Sequence, residues 1–233
     1  MFNIETFMNE ATFVPPPPAA TFLPLHPQNY ILALGMEDSS ILIYNTKTGE
    51  VKGKLEGHQD RVTGLAFSTV LNALVSSGAD SQICVWSMEG WNNQASKAMH
   101  ISSGRAPNPP RKNHVQFHQD QIHLLVFNEN LIAVYEAPEL KCIEQWFARD
   151  STGSITCATY SCDSQSVYVA FKSGNIFVFS AALVPQCRIS PKLYLTASLR
   201  TRVYPLSIAA HPSDPSQFAL GLTDGGILVL TIS

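Results

Sequence analysis

The sequence predicts an all-β fold, a β-propeller of about five four-stranded blades. Three observations carry this. Short apolar runs alternate with turn-forming clusters along nearly the whole chain. Strand-end aromatic or apolar residues at Tyr44, Trp86, Tyr135, Phe179 and Leu230 recur about every 40–50 residues, the period of a propeller blade. No stretch sustains a 3.6-residue apolar period, which argues against a helical solenoid.

The clearest unit runs from Gly57 to Trp86, GHQDRVTGLAFSTVLNALVSSGADSQICVW. It opens on Gly57-His58 and closes on Trp86, with apolar runs at Val62–Phe67, Leu71–Ser76 and Gln82–Trp86 and a tight turn at 78–81 between the last two. This is the pattern of one WD40 repeat. His58, Ser76, Asp80 and Trp86 are placed to form one hydrogen-bonded chain, a structural clamp in which each half-buried polar group finds a partner. The same His, Ser and Asp are the residue types of a hydrolase triad. The clamp already accounts for them, and neither G-x-S-x-G, a P-loop, HExxH nor paired carboxylates occur, so no enzyme and no catalytic residues are expected.

Composition sets the outer limits. The 233 residues are 45% hydrophobic, enough for a sizeable core. Charged residues are 14%, and the net charge of −3 gives no basic footprint for direct nucleic-acid or membrane-surface binding. Cys84, Cys142, Cys157, Cys162 and Cys187 are an odd set at irregular spacings, mostly within apolar runs, as free thiols in a reducing compartment are. Cys157 and Cys162 have the wrong spacing for a zinc knuckle. The acidic N-terminus lacks the pattern of a secretion signal, and no run approaches the ~18 apolar residues of a membrane span. The expected location is therefore not secreted.

In chain order, residues 1–14 read as strand ends, and Pro15–Pro18 as a short stiff connector, since proline has no N–H to give a ladder. Strands follow at Ala20–Leu25, Tyr30–Gly35 and Ser40–Tyr44, with a turn at Met36–Ser39. LALGMEDSSILIY aligns with LVSSGADSQICVW, placing Asp38 over Asp80 and Tyr44 over Trp86. Glu50–Leu55 leads into Gly57-His58. After Trp86 come a loop at 90–93, a strand at Ser96–Ile101, and a polar Pro-rich loop at 102–113 whose Arg105, Arg111 and Lys112 read as solvated. The third unit has strands Val115–His118, Ile122–Val126 and Leu131–Tyr135, with Lys141–Trp146 outside them and no Gly-His/Asp clamp. Its His114, His118 and His123 form the densest histidine group. A strand would put His114 and His118 on one face, but no acidic third ligand is expected beside them, so no metal site is assigned. The fourth unit has strands Ile155–Tyr160, Ser166–Phe171 and Asn175–Phe179. The fifth has Pro205–Ala210, Gln217–Leu222 and Gly226–Leu230. The whole chain, 1–233, is read as one propeller region with repeats near 1–44, 45–86, 87–135, 136–179 and 180–233. Two closures remain open: an open arc cut from a seven-bladed ring, and a closed five-bladed ring completed by the N-terminal strand.

Several long runs carry a resemblance: PPPPAATFLPLHPQ (15–28), LGMEDSSILIYN (34–45), KLEGHQDRVTGLAFS (54–68), LVSSGADSQICVWS (74–87) and AAHPSDPSQFALGLTDG (209–225). With them the chain resembles the C-terminal WD40 propeller of the Topless and Topless-related plant transcriptional co-repressors. The resemblance implies two propellers after a helical LisH/CTLH-type domain that tetramerises and binds leucine-rich repression motifs. It also implies recruitment of histone deacetylases and other chromatin-modifying machinery, and a nuclear location; without it the location would be cytoplasmic. Against that pattern the helical domain, the first propeller and the opening blades of the second are missing, so the chain is expected to be a truncated member, a short paralogue or a gene fragment.

The expected function is a non-catalytic interaction scaffold in transcription regulation, with protein partners, no cofactor, and possible association with full-length relatives. The alternatives are an adaptor of another complex (a ubiquitin-ligase substrate receptor or a cytosolic assembly platform) and a non-functional fragment. Propellers bind partners through the loops of one face. On the face carrying the His-Asp turn, the residues chosen for partner binding are Glu37, Gln59, Arg61, Lys172 and Thr223.

Overall fold

The computed structural model describes residues 18–99, 112–149, 151–196 and 203–232. The expected strand ends at 1–14, prolines 15–17, and Arg105 and Arg111 of the basic loop lie outside the described residues.

The chain forms five antiparallel sheets in sequence order. Blade I holds β1 (Ala20–Phe22), β2 (Ile31–Met36), β3 (Ile41–Asn45) and β4 (Glu50–Leu55). Blade II holds β5 (Val62–Ser68), β6 (Ala73–Gly78), β7 (Gln82–Ser87) and β8 (Asn93–Ala98). Blade III holds β9 (His114–Phe117), β10 (His123–Asn128), β11 (Leu131–Glu136) and β12 (Lys141–Phe147). Blade IV holds β13 (Ile155–Tyr160), β14 (Ser166–Phe171), β15 (Ile176–Ser180) and β16 (Pro185–Ile189). Blade V has β17 (Pro205–Ala210), β18 (Gln217–Leu222) and β19 (Ile227–Thr231) among the described residues. Each sheet is thus offset by one strand from its sequence repeat: the outer strand that precedes a Gly-His pair belongs to the previous blade.

Burial explains the patterning. β6 is buried along its whole length and β10 and β14 nearly so; β10 and β14 read as near-continuous apolar runs, whereas β6 ends on Ser76, Ser77 and Gly78. The outer strands β4 and β12 are mostly exposed and carry Glu and Lys, which also protect the edges. Four apolar cores lie between successive blades. Ile43, Val62 and Trp86 sit in the first, and Val75, Val126 and Tyr135 in the second. The third holds Leu125, Val169 and Phe179, and the fourth Tyr168, Phe218 and Leu220.

The packing chain runs β1 and β2 on β5, β5 on β9, β10 on β13, and β13 on β17. No packing of that extent joins β17 to β1 among the described residues, so those residues form an arc.

Some boundaries differ from the sequence reading. β1 stops at Phe22 because Pro24 has no N–H to donate; only the isolated Leu25–Leu32 bridge follows. β8 starts at Asn93, three residues before the expected Ser96, because Gly90 (φ 86°) and Trp91 (φ 57°) reverse the chain at once. β9 ends at Phe117, so His118 is a turn residue and does not share a strand face with His114. β16 and a short 3-10 turn at Pro191–Leu193, capped by Ser190, had no clear sequence signal.

Candidate functional site

The site is built on the turns between the second and third strands of each blade and the connections leading into the inner strands, which crowd one face of the arc. The turns share a device. A short acceptor side chain at the turn start takes backbone N–H groups two or three residues on, which holds the loop without tertiary help. Asp38 Oδ1 accepts from Ser40 N (3.1 Å), Asp224 Oδ1 from Gly226 N (3.0 Å), and Asn128 Oδ1 from Asn130 N (3.0 Å) and Leu131 N (3.1 Å).

Blade II adds the clamp. Asp80 Oδ2 lies 3.1 Å from His58 Nδ1 and accepts from Gln59 N at 2.8 Å, while its Oδ1 accepts from Gln82 N at 3.0 Å. His58 Nε2 lies 2.7 Å from Ser76 Oγ, which also accepts from Trp86 Nε1 at 2.8 Å. Burial opposes charge on His58, but the Asp80 carboxylate and then the Cys84 side chain hold its pKa up at about 9. Burial also works against the Asp80 charge, and the His58 and backbone N–H donors outweigh it, so its pKa is lowered. The pair is an imidazolium–carboxylate at neutral pH. Above the raised pKa, Nδ1 keeps its proton on Asp80 and Nε2 becomes the acceptor for the Ser76 hydroxyl. The His58 side chain is fully buried, so the trio is a structural clamp with no room for a substrate.

Blade III replaces the clamp with amides. Asn113 is fully buried; its Nδ2 donates to Gly78 O at 2.8 Å and its Oδ1 accepts from Asn128 Nδ2 at 3.1 Å. Its carbonyl accepts from Thr63 Oγ1 (2.5 Å) and Ser77 Oγ (2.9 Å), which ties blade III to the blade II clamp turn.

Above this lie two clefts sharing Lys112 and His114. One is lined by Phe22, Glu37, Arg61 and Thr63 with those two residues. The other adds Glu129, Lys172, Tyr204 and Leu206. Together they form one groove across five blades. Arg61, Lys112 and Lys172 bring three positive charges, against Glu37 and Glu129, and none of the five is in an ion pair among the described residues. His114 stacks on Phe127 (centroids 4.9 Å, 18°), and burial followed by the Lys112 charge lowers its pKa, so it is a neutral platform. Phe22 and Leu206 are exposed apolar residues beside it.

Of the residues expected to bind partners, Glu37, Arg61 and Lys172 line this groove. Thr223 stands behind it: its N donates to Tyr204 O (3.0 Å) and its Oγ1 accepts from Tyr204 N (3.2 Å). Gln59 sits over the clamp and lines neither cleft. Sequence reasoning missed Tyr204 and Leu206, which have no local motif and reach the groove because inner strands converge. It singles out His114 only within the histidine group and Lys112 only within a basic loop.

The expected histidine group is divided. His114 faces the groove, whereas His118 and His123 lie at the β9–β10 turn with Asp120 between them. The expectation that no acidic ligand accompanies them is corrected: the turn folds Asp120 back between the two rings.

A WD40 family model (WD domain, G-beta repeat) matches residues 49–87, β4 to β7. Topless-related protein 4 of Arabidopsis thaliana is 58% identical over 232 residues, 99% of this chain and 20% of that protein. Protein TOPLESS of the same plant is 55% identical over 230 residues, 97% of this chain and 20% of its own length. The chain belongs to the Topless family. Protein TOPLESS-RELATED PROTEIN 2 of Oryza sativa subsp. japonica, at 46% identity over 235 residues, extends the likeness to rice. The chain spans about a fifth of the length of these Topless relatives. A chain in the crystal structure of a mitotic checkpoint complex superposes with a TM-score of 0.77 over 99% of this chain and 67% of its own, at 17% identity, which shows the shared propeller fold. The chain is thus a WD-repeat propeller segment of the Topless family.

Proposed function

We propose that this chain serves transcriptional repression in the nucleus, and that the groove shared by all five blades docks an acidic, partly apolar segment of a partner protein. The carrying observation is the set of three cations without ion-pair partners among the described residues, Arg61, Lys112 and Lys172, rimming one groove beside exposed Phe22 and Leu206. Unpaired charge at a rim steers and orients a partner of opposite sign, and adjacent apolar side chains supply the burial. Membership in the Topless family supports the repression reading, since the resemblance implies co-repressor partners.

The test tethers the chain to a promoter through a heterologous DNA-binding domain. Repression of the reporter is expected, together with co-purification of nuclear repressors rather than ubiquitin-ligase subunits. Arg61→Glu with Lys172→Glu should abolish both at an unchanged melting temperature, because both side chains project into the groove and neither fills the core. Full repression by the double variant would remove the groove from the reading; no repression by the parent chain would remove the transcriptional role.

A further inference from the structure

We propose that His118, Asp120 and His123 form a binding site for a divalent transition-metal ion of the zinc class, on the face of the arc opposite the groove. His118 follows β9 directly, His123 opens β10, and Asp120 lies in the turn between. His118 N donates to His123 O at 2.8 Å, which sets the two rings side by side. Asp120 Oδ1 accepts from Ile122 N (2.8 Å) and His123 N (2.9 Å), and this fixes the carboxylate and turns Oδ2 toward both imidazoles. Oδ2 lies 2.6 Å from His123 Nδ1 and 3.2 Å from His118 Nδ1. The three ligand atoms all lie within 4.8 Å of one another. Zinc–nitrogen and zinc–oxygen bonds of ~2.0–2.2 Å at tetrahedral angles need ligand separations of roughly 3.4 Å, so only small side-chain rotations are required.

His118 Nδ1 accepts from Asp120 N at 3.2 Å and lies 3.2 Å from Asp120 Oδ2, so a metal ion would take this lone pair in place of a long turn bond. Asp120 Oδ1 is occupied by the two turn N–H groups, which leaves Oδ2 as the carboxylate ligand. An ion between the three side chains would likewise replace the hydrogen bond of His123 Nδ1 to Oδ2.

Turn capping alone does not explain the cluster. His26 Nδ1 accepts from Gln28 N (3.1 Å) and Asn29 N (3.0 Å), and His211 Nδ1 from Ser213 N (3.2 Å) and Asp214 N (2.9 Å), at the equivalent turns of blades I and V. Those turns lack a second imidazole, and among the described residues only the blade III turn gathers three ligands. That turn is also braced from both sides. Gln121 Oε1 accepts from Thr69 N (2.6 Å) and Thr69 Oγ1 (2.7 Å) of blade II. Gln119 N donates to Ser164 Oγ of blade IV at 3.1 Å, and Tyr160 meets the His118 ring edge-on at 5.2 Å. Such bracing lowers the ordering cost of binding. Two imidazoles with one carboxylate select zinc, copper or nickel over magnesium and calcium. Side-chain exposures of 21%, 34% and 40% leave the remaining coordination positions to solvent or a partner's donor.

The test titrates Co2+ and then Zn2+ into chelator-treated chain carrying Cys187→Ser, which removes the exposed thiol. One ion per chain is expected, with a tetrahedral or five-coordinate cobalt spectrum free of thiolate charge transfer, displaced by zinc and unaffected by excess Mg2+. His123→Gln keeps the Asp120 turn bonds and should weaken binding tenfold or more at an unchanged metal-free urea midpoint; Asp120→Asn should do likewise to binding. Absent one-to-one binding, equal affinity in His123→Gln, or a thiolate charge-transfer band would overturn the proposal.

Discussion

Replacing Asp80 with Asn isolates what the buried clamp contributes. In the native chain the carboxylate accepts from His58 Nδ1, Gln59 N and Gln82 N through two oxygens, with 5% of its side chain exposed. An asparagine keeps one acceptor oxygen. Its NH2 group must face either Gln59 N or Gln82 N, donor against donor. Losing one charge-assisted hydrogen bond and stranding a buried N–H costs about 3 kcal/mol. The charge adds a pH signature. The His58 pKa is about 9 in the folded chain against 6.5 as the reference, so the folded state holds an extra proton between these values. The associated stability is fully present below pH 6.5 and is lost as pH rises through about 9. At ~1.4 kcal/mol per unit this amounts to about 3 kcal/mol. In Asp80→Asn the imidazolium has no counter-charge and that slope disappears. The destabilisation should therefore be largest near pH 6.5 and shrink toward pH 9. Urea unfolding followed by tryptophan fluorescence in reducing buffer reads both quantities, and taking the difference between the two proteins cancels other titrating groups, such as the thiols. A variant midpoint that falls with pH as steeply as the parent's would refute the ion-pair account.

The remaining predictions concern packing and the link between blades. Trp86→Ala should cost about 3–5 kcal/mol, because the indole is 2% exposed in the core between blades I and II and its Nε1 donates to Ser76; an unchanged urea midpoint would sink the clamp assignment. Asn113→Ala should cost about 2–3 kcal/mol by leaving Asn128 Nδ2 without its acceptor and taking from Gly78 O one of its two donors, Ser81 N remaining; hydrogen exchange should quicken in the turns of both blades II and III, and acceleration confined to blade III would contradict the linkage.

Much of the propeller was legible because its determinants are local. A blade needs alternating apolar runs and side chains that close turns within two or three residues, as Asp38, Asp80 and Asp224 do. The clamp was also legible: four residue types at fixed spacing in one unit are enough to pair them. The Asp turn's replacement by Asn128 was visible, but its partner Asn113 was not, since nothing in the sequence says that a loop amide will be buried across a blade boundary.

The sequence by itself determined the blade period, the identity of the clamp and the family, because each rests on residues within one unit or one contiguous run. Only the tertiary structure decided which loops share a groove and which histidines share an ion site. Glu37, Arg61 and Lys172 come from blades I, II and IV, and they meet only through the convergence of the inner strands with Lys112 and His114. His114 and His118 are close in sequence yet serve opposite faces, because β9 ends one residue before His118 and the turn carries that ring to Asp120 and His123. The physical reason is the same in both cases: hydrogen bonding and periodicity act over a few residues, whereas a binding surface on a propeller is assembled by packing between blades.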